Sequence, residues 1–247
     1  MINLIFRIAA GPPVAAPGMT MRIRVPDADP RWGVCKAALP TDGSHDAITV
    51  DWGDGTSDVF AEGIESAVHE YARGGEYEVH VSDDVAVLQL TYDSGGRSPI
   101  AGVFASRLLS FAYKKAGETE VLKSCPGKCF ADATSLVRVD LADAALSEMS
   151  SNMFNGCAAL RTLRFPARQN QSMWQGALAG CASLGTRLDL PGFKAFYGWE
   201  RAQPFADCAA LREVHFAAEY EETIRGSAAY AADPTLGLPN GQIFFDL

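Results

Sequence analysis

One seven-residue phrase recurs through the C-terminal half of this chain, and its period constrains the fold more than any other feature. It reads Phe130-Ala-Asp-Ala-Thr-Ser-Leu136, Phe154-Asn-Gly-Cys-Ala-Ala-Leu160, Leu178-Ala-Gly-Cys-Ala-Ser-Leu184, Phe205-Ala-Asp-Cys-Ala-Ala-Leu211 and Tyr230-Ala-Ala-Asp-Pro-Thr-Leu236. The closing leucines are spaced by 24, 24, 27 and 25 residues. Such a period predicts a solenoid, in which no unit buries its apolar side alone and each stacks on its neighbours. A short strand follows each phrase: Val139-Asp-Leu141, Leu163-Arg-Phe165, Leu188-Asp-Leu190 and Val214-His-Phe216, with Ile243-Phe-Phe245 closing the array. A second apolar patch lies between units, at Leu146/Met149, Met173/Trp174, Phe196 and Ile224. Each unit is therefore expected to carry Phe, Cys and Leu inward on a tight loop, then form a parallel-sheet strand, then return by a variable path. The first phrase has Ala133 and the last Asp233 at the cysteine position, as suits ends that stack on one side.

The N-terminal half has no such period. Residues 2–8 and 19–25 alternate as strands do, and Gly11-Pro-Pro-Val-Ala-Ala-Pro-Gly18 between them excludes a helix. Ile48-Thr-Val-Asp-Trp52 runs into Gly53-Asp-Gly-Thr56 and out through Ser57-Asp-Val-Phe60. The Asp54-Gly55 pair predicts a hairpin whose two central residues take positive φ. Tyr77, Val79 and Val81 share one face of the next strand, Glu78 and His80 the other. Short strands with dense turns predict a β-sandwich. Charge separates the halves too: residues 1–95 carry 15 acidic against 6 basic residues, which is the whole net charge of −9, whereas 96–247 carry 15 of each. A boundary is expected near Asp93-Ser-Gly-Gly-Arg-Ser-Pro99, dividing the chain into 1–95 and 96–247, with 100–128 a degenerate capping unit around Phe104, Leu109 and Phe111.

Two resemblances sharpen this division. Val50-Asp-Trp-Gly-Asp-Gly-Thr56, followed by His69-Glu-Tyr-Ala-Arg-Gly-Gly-Glu-Tyr-Glu-Val-His-Val81, resembles the two hallmark segments of the PKD-type immunoglobulin-like domain over residues 46–82. Those domains are extracellular β-sandwiches that act as spacers or binding modules. Phe-x-Gly/Asp-Cys-x-x-Leu at this period resembles the BspA-like leucine-rich repeat of bacterial surface proteins over residues 129–247. Together the resemblances imply a mixed β / α+β chain, an Ig-like (PKD-type) sandwich followed by a leucine-rich-repeat solenoid with parallel strands. They imply a non-catalytic cell-surface or secreted protein that mediates adhesion to a host protein or glycan. A structural or receptor-binding component of a phage or similar particle would use the same modules. A third reading, a hydrolase, predicts turnover in a glycosidase and esterase screen.

Composition narrows the partners. A hydrophobic content of 48% and a charged content of 21% belong to a folded chain with a sizeable core. No apolar run reaches the roughly 18 residues of a membrane helix, so no membrane insertion is expected. The apolar start lacks a basic n-region and is interrupted by Arg7, so it does not read as an export signal. Nucleic acid is not expected, because no Lys/Arg cluster exists to hold phosphates. The chain carries no nucleophile elbow, phosphate loop or zinc-protease helix, and His45, His69, His80 and His215 are scattered. No cofactor and no metal are expected.

Cys157, Cys181 and Cys208 occupy one equivalent place and read as reduced core thiols. Cys125 and Cys129 admit free thiols, a local disulfide or half a metal site. Asp51, Asp54 and Asp58 admit a calcium site, or a turn and two solvated strand faces. His69 and Tyr71 read as hydrogen-bonding groups at a strand start. In the solenoid, Asp140, Arg164, Asp189 and His215 hold successive outward places, as do Arg138, Thr162, Arg187 and Glu213. The first row is either a polar recognition surface or a solvated face of weak ion pairs. The segment that lengthens one period to 27, Gly192-Phe-Lys-Ala-Phe-Tyr-Gly-Trp-Glu200, brings Phe193, Phe196, Tyr197 and Trp199 close together. Such rings suit a sugar or a protein partner, or else pack on the solenoid edge.

Overall fold

The computed structural model describes residues 17–27, 36–40, 47–60, 66–82, 107–115, 122, 125, 127–198 and 203–247. Residues 2–8, the turn-rich stretch 93–99, Phe104 and Trp199 lie outside them. The N-terminal strands are β1 (Gly18–Val25), β2 (Lys36–Pro40), β3 (Ile48–Asp51), β4 (Ser57–Phe60), β5 (Ser66–Glu70) and β6 (Gly75–Val81). Alternation explains β1 and β6: Met19, Met21, Ile23 and Val25 are buried while Arg22 and Arg24 face water, and Val79 and Val81 are buried beside exposed Glu78. β3 and β4 form the expected hairpin, but not around a two-residue turn. Asp51 pairs with Ser57, and Trp52 N–H donates to Thr56 O at 3.1 Å. Gly53 and Gly55 take φ of 77° and 93°, flanking an Asp54 that does not. Glycine suits both positions because L side chains avoid positive φ.

From β7 (Leu108–Lys114) onward the chain coils. Five strands form one side of the coil: β8 (Arg138–Asp140), β10 (Thr162–Arg164), β12 (Arg187–Leu190), β14 (Glu213–Phe216) and β15 (Gln242–Phe245). β9 (Glu148–Met149), β11 (Gln171–Trp174) and β13 (Phe193–Tyr197) form a second side, continued by a 3-10 turn at Ala218–Tyr220 and short helices at Glu221–Arg225 and Ala228–Ala232. All rung-to-rung strand pairs are parallel. The C-terminal part is thus a β-solenoid-like stack, and the described chain is mostly strand with few helices.

The repeated phrase forms the third side, and its chemistry is explicit. Its third residue has positive φ in four successive rungs: Asp132 (59°), Gly156 (74°), Gly180 (77°) and Asp207 (57°). Gly, Asp and Asn tolerate this conformation best, which is why the phrase uses Gly or Asp there. Backbone bonds link the rungs: Phe130 N–H to Met153 O, Phe154 N–H to Ala177 O, and Leu178 N–H to Pro204 O, at 2.8 to 3.0 Å. Inside, Phe111, Phe130 and Phe154 follow one another at centroid spacings of 5.2 and 5.0 Å.

The last unit departs from the expected alignment. The turn at 234–237 repeats the turn at 204–207, with Leu238 N–H on Thr235 O as Cys208 N–H is on Phe205 O. Gly237 (φ 86°) therefore matches Asp207, and buried Leu238 takes the cysteine place rather than Asp233. The helices inserted after β14 displace the motif along the chain, so Tyr230–Leu236 is a sequence echo out of structural phase.

One sheet joins the two halves. Its order is β10-β8-β7-β1-β6-β3-β4, with β7 antiparallel to β1 and parallel to β8. β2 and β5 form a separate antiparallel ribbon. The buried side chains make one continuous core from Met19 to Leu238. Among the described residues no helix is long and apolar enough to cross a membrane.

Candidate functional site

The sheet of β9, β11 and β13 presents an outward aromatic pair. Along β11, Gln171 and Met173 are buried while Ser172 and Trp174 turn outward; β9 points Met149 in and Glu148 out. In β13 the alternation is interrupted. Gln171 pairs with Phe193 but Ser172 pairs with Ala195, so Lys194 is an extra residue in a β-bulge. Past the bulge Met173 pairs with Phe196, both buried, and Trp174 pairs with Tyr197, both exposed, at 37% and 49%. Their ring centroids are 5.2 Å apart with planes tilted by 42°. The Trp174 indole N–H donates to Glu148 Oε2 at 2.9 Å, which fixes the larger ring. Lys194 Nζ donates to Asn170 Oδ1 at 2.8 Å, which holds the bulge. Gly192 packs so closely that a Cβ there would run into the Arg168 carbonyl.

Three of the four aromatics singled out in this segment lie among the described residues, and they part company. Phe193 and Phe196 are buried, Phe193 beside Phe165 and Phe196 edge-on to Phe216, so both serve the core. Tyr197 reaches the surface, and its companion there is Trp174 from the preceding rung. Trp174 and Glu148 were not among the sequence candidates. The signal for Trp174 was present: Met173-Trp174 and Phe196-Tyr197 are the same in-out doublet one unit apart.

The polar rows assemble in two blocks. Arg138 and Arg164 are exposed and converge on Asp140 Oδ2, at 3.5 and 2.9 Å. Arg187 bonds Asp189 within its own strand at 2.7 Å. β12 pairs with β14, while the seven-stranded sheet ends at β10, so Arg164 and Asp189 are not ladder partners. Exposed pairs of this kind are screened by water and add little to stability. His215 is 3% exposed, stacks on Phe244 at 4.6 Å, and faces Asp246 at 2.6 Å and Glu213 at 3.3 Å. It ties β15 and the following residue to β14.

The acidic hairpin uses its carboxylates internally. Asp51 Oδ1 accepts from Gly53 N–H at 2.9 Å, and Asp58 Oδ2 accepts from the Trp52 indole at 2.8 Å. Asp54 Oδ1 accepts from the Thr56 N–H and hydroxyl, and its Oδ2 meets His69 Nε2 at 2.8 Å. Partial burial works to raise the Asp54 pKa, but the bonds from Thr56 and His69 outweigh it and hold the carboxyl below its usual range. His69 stacks on Trp52 at 4.8 Å, and Tyr71 donates from its buried hydroxyl to Trp52 O at 3.1 Å. Among the described residues no group of three or more His, Cys, Asp or Glu is placed to hold a metal ion.

The thiols are core groups. Cys157 Sγ donates to Phe130 O at 3.0 Å, Cys181 Sγ to Phe154 O at 3.3 Å and Cys208 Sγ to Leu178 O at 3.2 Å. Each thus bonds the rung before it. Burial pushes the Cys157 and Cys208 thiols up to about 12 and raises that of Cys181 as well. Cys125 and Cys129 are buried free thiols, not a disulfide. Compared with family models, curated proteins and solved structures, the chain matches none.

Proposed function

We propose that this chain is a non-catalytic binding protein of a bacterial surface or secreted fraction. In this reading a PKD-type immunoglobulin-like domain supports a BspA-like leucine-rich-repeat module that engages a host protein or glycan. One observation carries it: a stack of rungs holds Trp174 and Tyr197 side by side in water, with the indole pinned by Glu148. Large rings gain about 25 cal/mol per Å² when covered, so a preorganised exposed pair favours a partner that covers it. The sheet shared by both halves supports the reading further, because it gives the module a rigid base.

An array of glycans and extracellular-matrix proteins, probed with the wild-type chain and with the double variant Trp174→Ala, Tyr197→Ala, tests the proposal. Capture by one ligand class that disappears in the double variant is the expected result. A wild-type chain that captures nothing, or that turns over substrates in a glycosidase and esterase screen, overturns it.

A further inference from the structure

We infer that the Trp174–Tyr197 pair is a subsite for a neutral pyranose, with Glu148 accepting the sugar's hydroxyls. This rests on the binding reading above and names its ligand class. The bulge at Lys194 is the first argument. Were the strand regular through Lys194, Trp174 would lie beside Phe196 and Tyr197 would take an inward place; because Lys194 is bulged out of register, Met173 meets Phe196 inside and Trp174 meets Tyr197 outside. The bulge therefore keeps the two exposed rings side by side although β13 carries one residue more than β11.

The surroundings fit a sugar ring. Glu148, Ser172 and Ala195 form one outward row across the three strands, in register, immediately beside the ring pair. Ser172 and Ala195 are small, so the row keeps the strand surface low beside the rings and the Glu148 carboxylate that touches them. A pyranose has a face of axial C–H bonds and a rim of hydroxyls. The negative face of an aromatic ring attracts polarised C–H groups, while a carboxylate accepts from neighbouring hydroxyls. Glu148 Oε2 is bonded once to the indole N–H, and a carboxylate oxygen has room for a second donor.

Charge selects among sugars. Glu148 repels a carboxylated or sulfated ring, and Lys194, the cation on these strands, is turned to Asn170. A protein partner fits less well, because stable interfaces bury about 1,200–2,000 Å² and this shelf is two side chains wide.

Saturation-transfer NMR on the full chain tests the inference, using methyl β-D-glucopyranoside, methyl β-D-galactopyranoside and, as an acidic control, methyl β-D-glucuronide. Transfer to the axial ring protons of a neutral glycoside is expected, lost in Trp174→Ala. Glu148→Gln should weaken that binding by ~10-fold and abolish discrimination against the glucuronide. Tyr197→Ala should abolish transfer with Trp174 still present, whereas deleting Lys194, which leaves Tyr197 opposite Trp174, should preserve it; protected native thiols would show that each variant is folded. No transfer to either neutral glycoside, transfer that survives Trp174→Ala, or equal transfer to the glucuronide overturns the inference. If the array yields a protein ligand that needs Trp174 while the glycosides give no transfer, the sugar assignment falls and the binding reading stands.

Discussion

Replacing Cys181 by serine tests the stacking of the rungs most directly. The thiol is fully buried between Cys157 and Cys208, and its hydrogen is directed at Phe154 O, 3.3 Å away in the preceding rung. Phe154 O also accepts Cys157 N–H at 3.1 Å, so this carbonyl stays satisfied whatever stands at 181. Serine brings a hydroxyl whose burial costs about 1–3 kcal/mol without a partner, and a retained hydrogen bond recovers about 1 kcal/mol of that. The middle of that range leaves a net loss of about 1 kcal/mol. For a chain of this size that is a fall in Tm of about 2–4 °C. Urea unfolding should show a lower midpoint at unchanged slope, because the surface exposed on unfolding is the same. In the native wild type, Cys157, Cys181 and Cys208 should resist thiol reagents at pH 8, since burial keeps them protonated. A loss below about 0.5 kcal/mol, the range of surface substitutions, would refute the reasoning, as would rapid labelling of all three in folded protein.

Three further outcomes are expected. Gly156→Ala should destabilise by about 1–2 kcal/mol in urea titration, because φ is 74° there and the new methyl group meets the Asp132 carboxylate. Asp54 has a folded pKa held below its unfolded value, so its stabilisation is present above the ordinary value of 3.8 and is lost as pH falls through the folded one; a melting series from pH 5 to 2 should be flatter in Asp54→Asn. Tyr71→Phe should lower stability by about 0.5–1.5 kcal/mol, measured by urea titration, through loss of the buried bond to Trp52 O, while a surface change such as Glu78→Gln should leave it unchanged.

The parts of this fold legible in the chain are those set by short-range spacing. An inward Phe, Cys and Leu at a repeated interval can pack only by stacking, so the rungs and the buried thiols follow from Cys157, Cys181 and Cys208 alone. Alternation in the same way gives β1, β3 and β6, and the Gly-Asp-Gly turn after β3 gives β4 as the second arm of a hairpin. What stayed hidden depends on pairing between distant segments. Met21 lies against Phe111 across β1 and β7, and nothing local in either strand names the other. The last unit misleads in the sequence because an apparent Leu236 anchor imitates the phrase, whereas the turn that matches Asp207 and Cys208 is built on Gly237 and Leu238.

The candidate site was half visible for the same reason. Four aromatics in one segment announce something, but which of the described ones face water depends on where the strand bulges. A strand reverses the facing of every side chain beyond a one-residue shift, so the bulge that sets Lys194 out of register decides that Phe196 joins the core and Tyr197 joins Trp174. Composition cannot convey this, since a bulge two residues further along β13 would leave the same rings in the segment and put Ala195 rather than Phe196 opposite Met173. Register is what converts an aromatic-rich stretch into a shelf with a carboxylate at its side. The physical test is the deletion of Lys194: it removes the extra residue and leaves Ala195 opposite Ser172, so the reasoning requires that the paired rings and their joint surface survive it.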